Sequence, residues 1–171
     1  HYGCRRDNNP IMFAKMGPDT GFDCVDNTAP STQTAAFLGH LEELGYLPKT
    51  ILYSLNTNDN AAIDSILGCF QNSAAVGYVQ HGSAWWFNDN YTGMNDQLTS
   101  LSGQGYLPGF VGMLTDSRSF ISYARHEYFR RVLCGFLGRL VSQGRYPDDD
   151  QKLRKIVEDI SYRNTKEYFG F

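Results

Sequence analysis

The chain has 171 residues, 42% of them hydrophobic and 19% charged, which fits one globular domain with a core and excludes a disordered segment. Its net charge of −3 and pI near 5.7 offer no basic footprint for nucleic acid or for an acidic membrane surface. No apolar run approaches the ~20 residues a membrane-spanning helix needs, so neither nucleic acid nor membrane is an expected partner.

Taken in order, His1-Tyr2-Gly3 reads as the end of a strand, and a start on His1 rather than Met suggests a beginning cut out of something longer. Residues 4–30 are rich in Gly, Pro, Asp and Asn without sustained periodicity, which predicts a long loop pinned to the core by Met12, Phe13, Met16 and Phe22. Pro30-Ser31 is a helix entry, followed by Phe37, Leu38, Leu41 and Leu44 at helical spacing and a stop at Gly45. Residues 50–55 (TILYSL) form a buried-strand run. Asn58 or Asp59 then caps a second helix carrying Ile63, Ile66, Leu67 and Phe70. Residues 77–81 are a third strand, ending in Gly82-Ser83-Ala84-Trp85-Trp86-Phe87-Asn88-Asp89, and Met94, Leu98 and Leu101 mark a third helix.

Residues 110–114 (FVGML) are a fourth apolar strand that stops at Thr115-Asp116-Ser117-Arg118-Ser119. A long helix over about 122–143 follows, with Phe129, Val132, Leu133, Phe136, Leu137, Leu140 and Val141 on one face and a Glu127–Arg131 pair on the other. A last helix begins after Pro147 with Asp148-Asp149-Asp150, acidic residues that favour a helix start, and its apolar face is Leu153, Ile156, Val157 and Ile160. Gly45-Tyr46-Leu47-Pro48 and Gly105-Tyr106-Leu107-Pro108 both lead from a helix into a strand.

Strands alternating with helices mean an α/β fold with parallel strands and right-handed crossovers. Four strands close no barrel, since a complete (β/α)8 barrel takes about 250 residues. The chain is therefore either the C-terminal half of such a TIM barrel, as one portion (residues 1–171) of a single catalytic domain, or a small open sheet. Polar residues at the ends of all four strands (His1, Asn56, His81, Asp116) and the start inside a strand favour the half barrel. Its two sheet edges and apolar inner face invite self-association, so a homo-oligomer is an open expectation.

Chemistry concentrates at Asp116 and Arg118. If strand alternation persists that far, the two face one mouth, and a carboxylate kept ionised beside a guanidinium can bind a metal or move a proton. The alternative is a helix-capping Asp with a solvated Arg. The paired tryptophans Trp85 and Trp86 serve either as core or as a pocket wall. Arg125, His126, Arg130 and Arg131 lie one helix past the site, where fold or interface roles are expected, and His40 belongs on the surface. Cys4, Cys24, Cys69 and Cys134 include no C-x-x-C pair, which excludes zinc-finger and thioredoxin-like chemistry. Cys69 and Cys134 fall in apolar helical patterns as reduced, buried thiols, which suits a cytoplasmic protein.

The strings HYGCRRDNN, GPDTGFD, LPKTILYSLN, GSAWWFNDNYTGM, QLTSLS, FVGMLTDSRSF, YARHEYFRR and the closing YFG closely resemble the C-terminal part of the bacterial uronate isomerase (glucuronate isomerase) family, nearly end to end. The resemblance implies a divergent amidohydrolase-superfamily barrel that interconverts an aldehyde-form uronic acid and its keto isomer, D-glucuronate with D-fructuronate or D-galacturonate with D-tagaturonate. It implies a divalent metal, zinc, bound by a His-x-His pair on the first barrel strand and an Asp ending the eighth. The Asp matches Asp116, and the His-x-His has no counterpart in this chain. By the same resemblance Asp116 and Arg118 are catalytic, while His1, Arg6, Trp85 and Trp86 contact a small uronic acid. His81 departs from the family, where an apolar residue stands. Hydrolysis on the same superfamily barrel, or a non-catalytic sugar-acid-binding fragment, are the rival expectations, and the 171 residues alone are expected to be inactive.

Overall fold

A computed structural model describes residues 1–26 and 31–171. Pro30, read as part of a helix entry, lies outside the described residues.

Two parallel strands form the centre, β3 (Thr50–Leu52) and β4 (Val79–His81), in the register Thr50↔Val79, Ile51↔Gln80 and Leu52↔His81. The backbone of residues 50–55 works on both sides. Thr50 N–H and Leu52 C=O bond to the β4 side, through Tyr78 C=O and Gly82 N–H, whereas Tyr53 C=O and Leu55 N–H bond Tyr2 at 3.0 and 3.1 Å. The Tyr2↔Ser54 bridge is parallel, so the His1-Tyr2-Gly3 segment flanks residues 50–55 on the edge away from β4.

The expected fourth strand is not built as a strand. Residues 110–114 run past β4, but side chains replace the ladder: Gln80 Oε1 accepts from Val111 N–H at 3.0 Å and Ser83 Oγ from Leu114 N–H at 3.4 Å. On the other side Asn164 Nδ2 donates to Phe110 C=O and Thr165 Oγ1 to Val111 C=O. Gly112 sits at φ 80°, a left-handed conformation that breaks the extended pleat, and a Cβ there would lie 2.3 Å from Ile160 C=O.

Residues 4–26 are more ordered than a loop. β1 (Cys4–Arg5) pairs antiparallel with β2 (Cys24–Val25). Between them α1 (Pro10–Met16) is capped by Asn9, whose side chain accepts from Met12 N–H at 3.1 Å, with Pro10 at the first position and Gly17 at its end. No residue of α1 is buried, and Phe13, Met16 and Phe22 are exposed, so the anticipated pins do not reach the core.

The helices follow the apolar spacing more closely. α2 (Ser31–Glu43) buries Leu38 and packs Leu41, but Phe37 and Leu44 stay exposed. α3 (Asn60–Leu67) buries Ile63 and Leu67; Asp59 stands at its N-cap position as expected, but its carboxylate takes the Ser54 hydroxyl at 2.6 Å instead of capping, and Asn56 caps the 3-10 turn Thr57–Asp59 ahead of it by accepting from Asn58 N–H at 3.1 Å. α4 (Tyr91–Gln104), capped by Asn90, buries Met94, Leu98 and Leu101. Together with Phe129, Val132, Leu133, Phe136 and Leu137 of α5 (Ala124–Ser142) and Ile156 of α6 (Asp150–Glu158), these make the main core. α6 is capped by Asp149 and runs through one π-helical turn, Asp159–Arg163, into α7 (Asn164–Phe169). That turn brings Ile160 under Gly112, just ahead of the Asn164 and Thr165 that serve residues 110–111.

The two Gly-Tyr-Leu-Pro connections share burial, with Leu47 and Leu107 inside and Tyr46 and Tyr106 outside, but only Gly45 takes a left-handed φ. Cys69 and Cys134, expected inside, are exposed: each occupies a helical position that faces away from the apolar stripe. All four cysteines are free.

Candidate active site

A cleft of about 770 Å³ opens where the turn after residues 110–114 meets the turn after β4. Asp116, Arg118, Trp85, Trp86 and Arg6 line it, together with Asp19, Asp89, Thr115, Ser117 and Arg125.

Asp116 and Arg118 share this mouth, although not by strand alternation. Asp116 has φ 44°, so the chain turns sharply there and presents both side chains to solvent. Helix capping does not describe Asp116. The next helical turn, Phe120–Tyr123, has no side-chain cap, and the Asp116 carboxylate instead accepts from the indole N–H of Trp85, Nε1 to Oδ2 at 2.8 Å. Arg118 makes no ion pair among the described residues, so its charge is available to a ligand.

The two tryptophans divide their roles. Trp85 is buried, at 5% exposure, and its ring is stacked by His1 at 4.4 Å and met edge-on by Tyr53. Trp86 is 38% exposed at φ 53°, stacks on Phe87 and carries the Arg6 guanidinium 5.1 Å from its ring centre. Arg6 also pairs with Asp19 at 3.2 Å and Asp23 at 3.1 Å, which balances its charge from the protein side. Tyr53 packs its ring against Gly82, where a Cβ would fall 2.2 Å from it. Burial pushes the Tyr53 phenol up to about 12, with smaller contributions from Tyr168 and Asp116, so it stays a neutral donor at physiological pH.

Four side chains that sequence reading left out of the site belong to its frame. Arg125, assigned to the helix beyond, reaches back so that Nη2 donates to Thr115 C=O at 3.0 Å and pairs with Asp89. Asp89 closes the Trp-Trp-Phe-Asn-Asp string, the signal that could have marked it. Ser117 Oγ accepts from Ser119 N–H and bonds Ser122 Oγ, bracing the turn on its outer side. His126 lines the back of the turn, and burial, then Arg130 and Arg125, hold its pKa below the ordinary imidazole value.

His81 lies elsewhere. It ends β4 beneath the sheet, 3% exposed, with Nδ1 2.9 Å from Asp64 Oδ1, and Asp64 Oδ2 accepts the Ser100 hydroxyl. This is a satisfied buried network, apart from the cleft. His40 is exposed, as expected.

No three His, Cys, Asp or Glu side chains come together as a metal site among the described residues. Asp116 brings one carboxylate, with one oxygen already engaged by Trp85, and the neighbouring His1 ring is stacked on that same indole. Taken alone, these donors do not fit a divalent metal, which would need ligands from further chain. Among the described residues no helix is long and apolar enough to cross a membrane.

Known proteins match this arrangement along its whole length. The uronate isomerase of Lachnoclostridium phytofermentans is 61% identical over 171 residues, all of this chain and 37% of that protein. That of Endomicrobium trichonymphae is 60% identical over the same span, 36% of its length. The crystal structure of a uronate isomerase from Thermotoga maritima superposes with a TM-score of 0.85 at 33% identity, over 98% of this chain and 35% of that one. A glucuronate isomerase from Caulobacter crescentus gives 0.79 at 25% identity, over 98% and 34%. The chain thus spans little more than a third of the length of these relatives. The sequence profile of glucuronate isomerase matches residues 1–169, and with the site residues lying inside that match the chain belongs to the glucuronate isomerase family.

Proposed function

We propose that the protein of which these residues are part is an aldose–ketose isomerase acting on D-glucuronate and D-galacturonate, and that the cleft at Asp116 and Arg118 is its active site. The observation that carries this reading is the pairing, in one cleft, of a carboxylate fixed by Trp85 with an arginine two residues on that has no ion partner among the described residues. Isomerisation transfers a proton between C2 and C1 of the open-chain sugar through an enediolate, which needs a proton carrier, a cation for the developing oxyanion and a clamp for the substrate carboxylate. Asp116 moves the proton. Arg118, with its forked donors, holds the carboxylate or enediolate oxygens. Trp85 supports Asp116 from below, Trp86 walls the pocket against water, and His1 hydrogen-bonds at the mouth. Arg6 is the second anion contact, softened by the two carboxylates it already holds.

We read the 171 residues as the C-terminal portion of one (β/α)8 domain. The row formed by Tyr2, residues 50–55, β4 and residues 110–114, with site residues at its C-terminal ends, supports this. In that arrangement the rest of the barrel would supply the further donors that a zinc ion beside Asp116 requires. The free cysteines suit a cytoplasmic setting.

The test is conversion of D-glucuronate and D-galacturonate by the full-length protein, wild type against Asp116→Asn and Arg118→Met. Each variant should lose roughly 10³-fold or more in kcat/KM. Folded wild type that converts neither sugar sinks the reading.

A further inference from the structure

We propose that Arg125 is a positioning residue, whose guanidinium ties the turn at residues 115–116 to the turn at residues 86–89 and so fixes Asp116 against Trp85. The inference rests on the isomerase reading of this cleft.

Both turns hold a residue with a side chain in the left-handed region, Asp116 at φ 44° and Trp86 at φ 53°. Such conformations are disfavoured and persist only where the surroundings over-determine them. The contacts close a circuit around them. Trp85 Nε1–H donates to Asp116 Oδ2 at 2.8 Å, joining the turns on one side. Arg125 Nη2 donates to the carbonyl of Thr115, next to Asp116, and pairs with the carboxylate of Asp89, joining them on the other. Asp89 reports on the Trp86 turn, since its N–H donates to Trp86 C=O at 3.1 Å. The Asp89 side chain is only 6% exposed, so its charge must be met within the protein, and Arg125 is the cation that meets it. Arg125 and Arg118 therefore differ in kind: both line the cleft, but Arg125 commits its Nη2 to the frame, whereas Arg118 makes no ion pair among the described residues.

The experiment measures kcat and KM for D-glucuronate in the full-length protein, at a temperature where thermal melts show every variant fully folded. Arg125→Gln should lower kcat roughly 10²-fold while KM moves by less than about threefold, since misplacing a reacting group costs rate more than binding. Arg125→Lys, which keeps the charge, should recover to within about tenfold of wild type, and Asp89→Asn should lose about tenfold. Arg131→Gln, on the same helix but exposed and paired with Glu127, should match wild type. A loss of stability alone would not give this pattern in fully folded protein, nor its partial rescue by lysine. An active wild type whose kcat is unchanged in Arg125→Gln overturns the inference alone, and a wild type inactive on both uronates overturns it together with the isomerase reading. Should Arg125→Gln not fold, a folded Asp89→Asn with wild-type kcat is the overturning result.

Discussion

The indole N–H of Trp85 spends its single hydrogen bond on the Asp116 carboxylate, and that choice separates the two tryptophans. A bond to a charged acceptor is worth about 1.5–3 kcal/mol where water cannot replace it, but Asp116 is exposed, so water would replace the lost donor. Trp85→Phe in the full-length protein should therefore cost only about 1 kcal/mol of stability through this bond. Its main effect should be a lower kcat, with Asp116 freed to leave its bound position, and unchanged kcat in the folded variant would show that the bond is not needed for turnover. Tyr53, in contact with the same cluster, gives a pH-dependent prediction. Its phenol is raised from 10.0 to about 12 in the folded state, chiefly by burial. Between those values the folded form keeps a proton that the unfolded form has lost, so this contribution is fully present below pH 10 and disappears as pH rises towards 12. Denaturant melts of Tyr53→Phe and wild type at stepped alkaline pH should show a shallower decline in the variant across that window. Parallel declines would remove Tyr53 as a cause. None of this was legible residue by residue: Trp85 and Trp86 are neighbours with identical side chains, set apart by an extended backbone at Trp85 and a positive φ at Trp86.

Elements defined by a repeating apolar face were legible, and those defined by side-chain bonds were not. α4 and α5 announce themselves through Met94, Leu98 and Leu101 and through Phe129, Val132, Leu133, Phe136 and Leu137, because burial selects residues at helical spacing. α1 escaped for the converse reason. It buries nothing, so only its caps, Asn9-Pro10 and Gly17, carry the signal. Residues 110–114 read as a strand by hydrophobicity, yet Gly112 makes room for the Ile160 carbonyl and passes the backbone bonds to Gln80, Ser83, Asn164 and Thr165. Two glycine substitutions separate these cases in thermal melts of the full-length protein. Gly112→Ala places a methyl 2.3 Å from backbone oxygen at φ 80° and should cost on the order of 3 kcal/mol. Gly138→Ala, in the helical interior of α5 with nothing within 4 Å, should gain about 0.5–1 kcal/mol. Equal shifts for the two would mean that the close approach at Gly112 is not a constraint.

At the scale of the whole molecule, the 171 residues bring the turns after β4 and after residues 110–114, with Arg6 and Asp19, around one cleft but leave large apolar surfaces in water. Phe120 and Ile121, just past the Asp116–Arg118 turn, are each 85% exposed, and Tyr123, Tyr162 and Phe171 are exposed as well. The row of extended segments also stops at Tyr2 on one side and at residues 110–114 on the other, where Asn164 and Thr165 side chains rather than a further strand meet the Phe110 and Val111 carbonyls among the described residues. Removing such side chains from water is worth about 25 cal/mol per Å², enough to drive association of a chain that lacks its covering partner. Relatives in which this chain is 36–37% of the length carry further residues that could cover these faces and bring the remaining groups to the cleft. The purified 171-residue chain should therefore sediment as oligomers, increasingly so with concentration. It should convert no D-glucuronate under conditions where the full-length protein does, because a cleft whose Asp19 and Asp89 are already paired with Arg6 and Arg125 offers the sugar only Asp116 and the unpaired Arg118, too few groups to hold it in a reactive pose. Sedimentation velocity and an isomerase assay on the same sample decide the matter. A monomer with clear turnover would show that these residues alone enclose a complete active site.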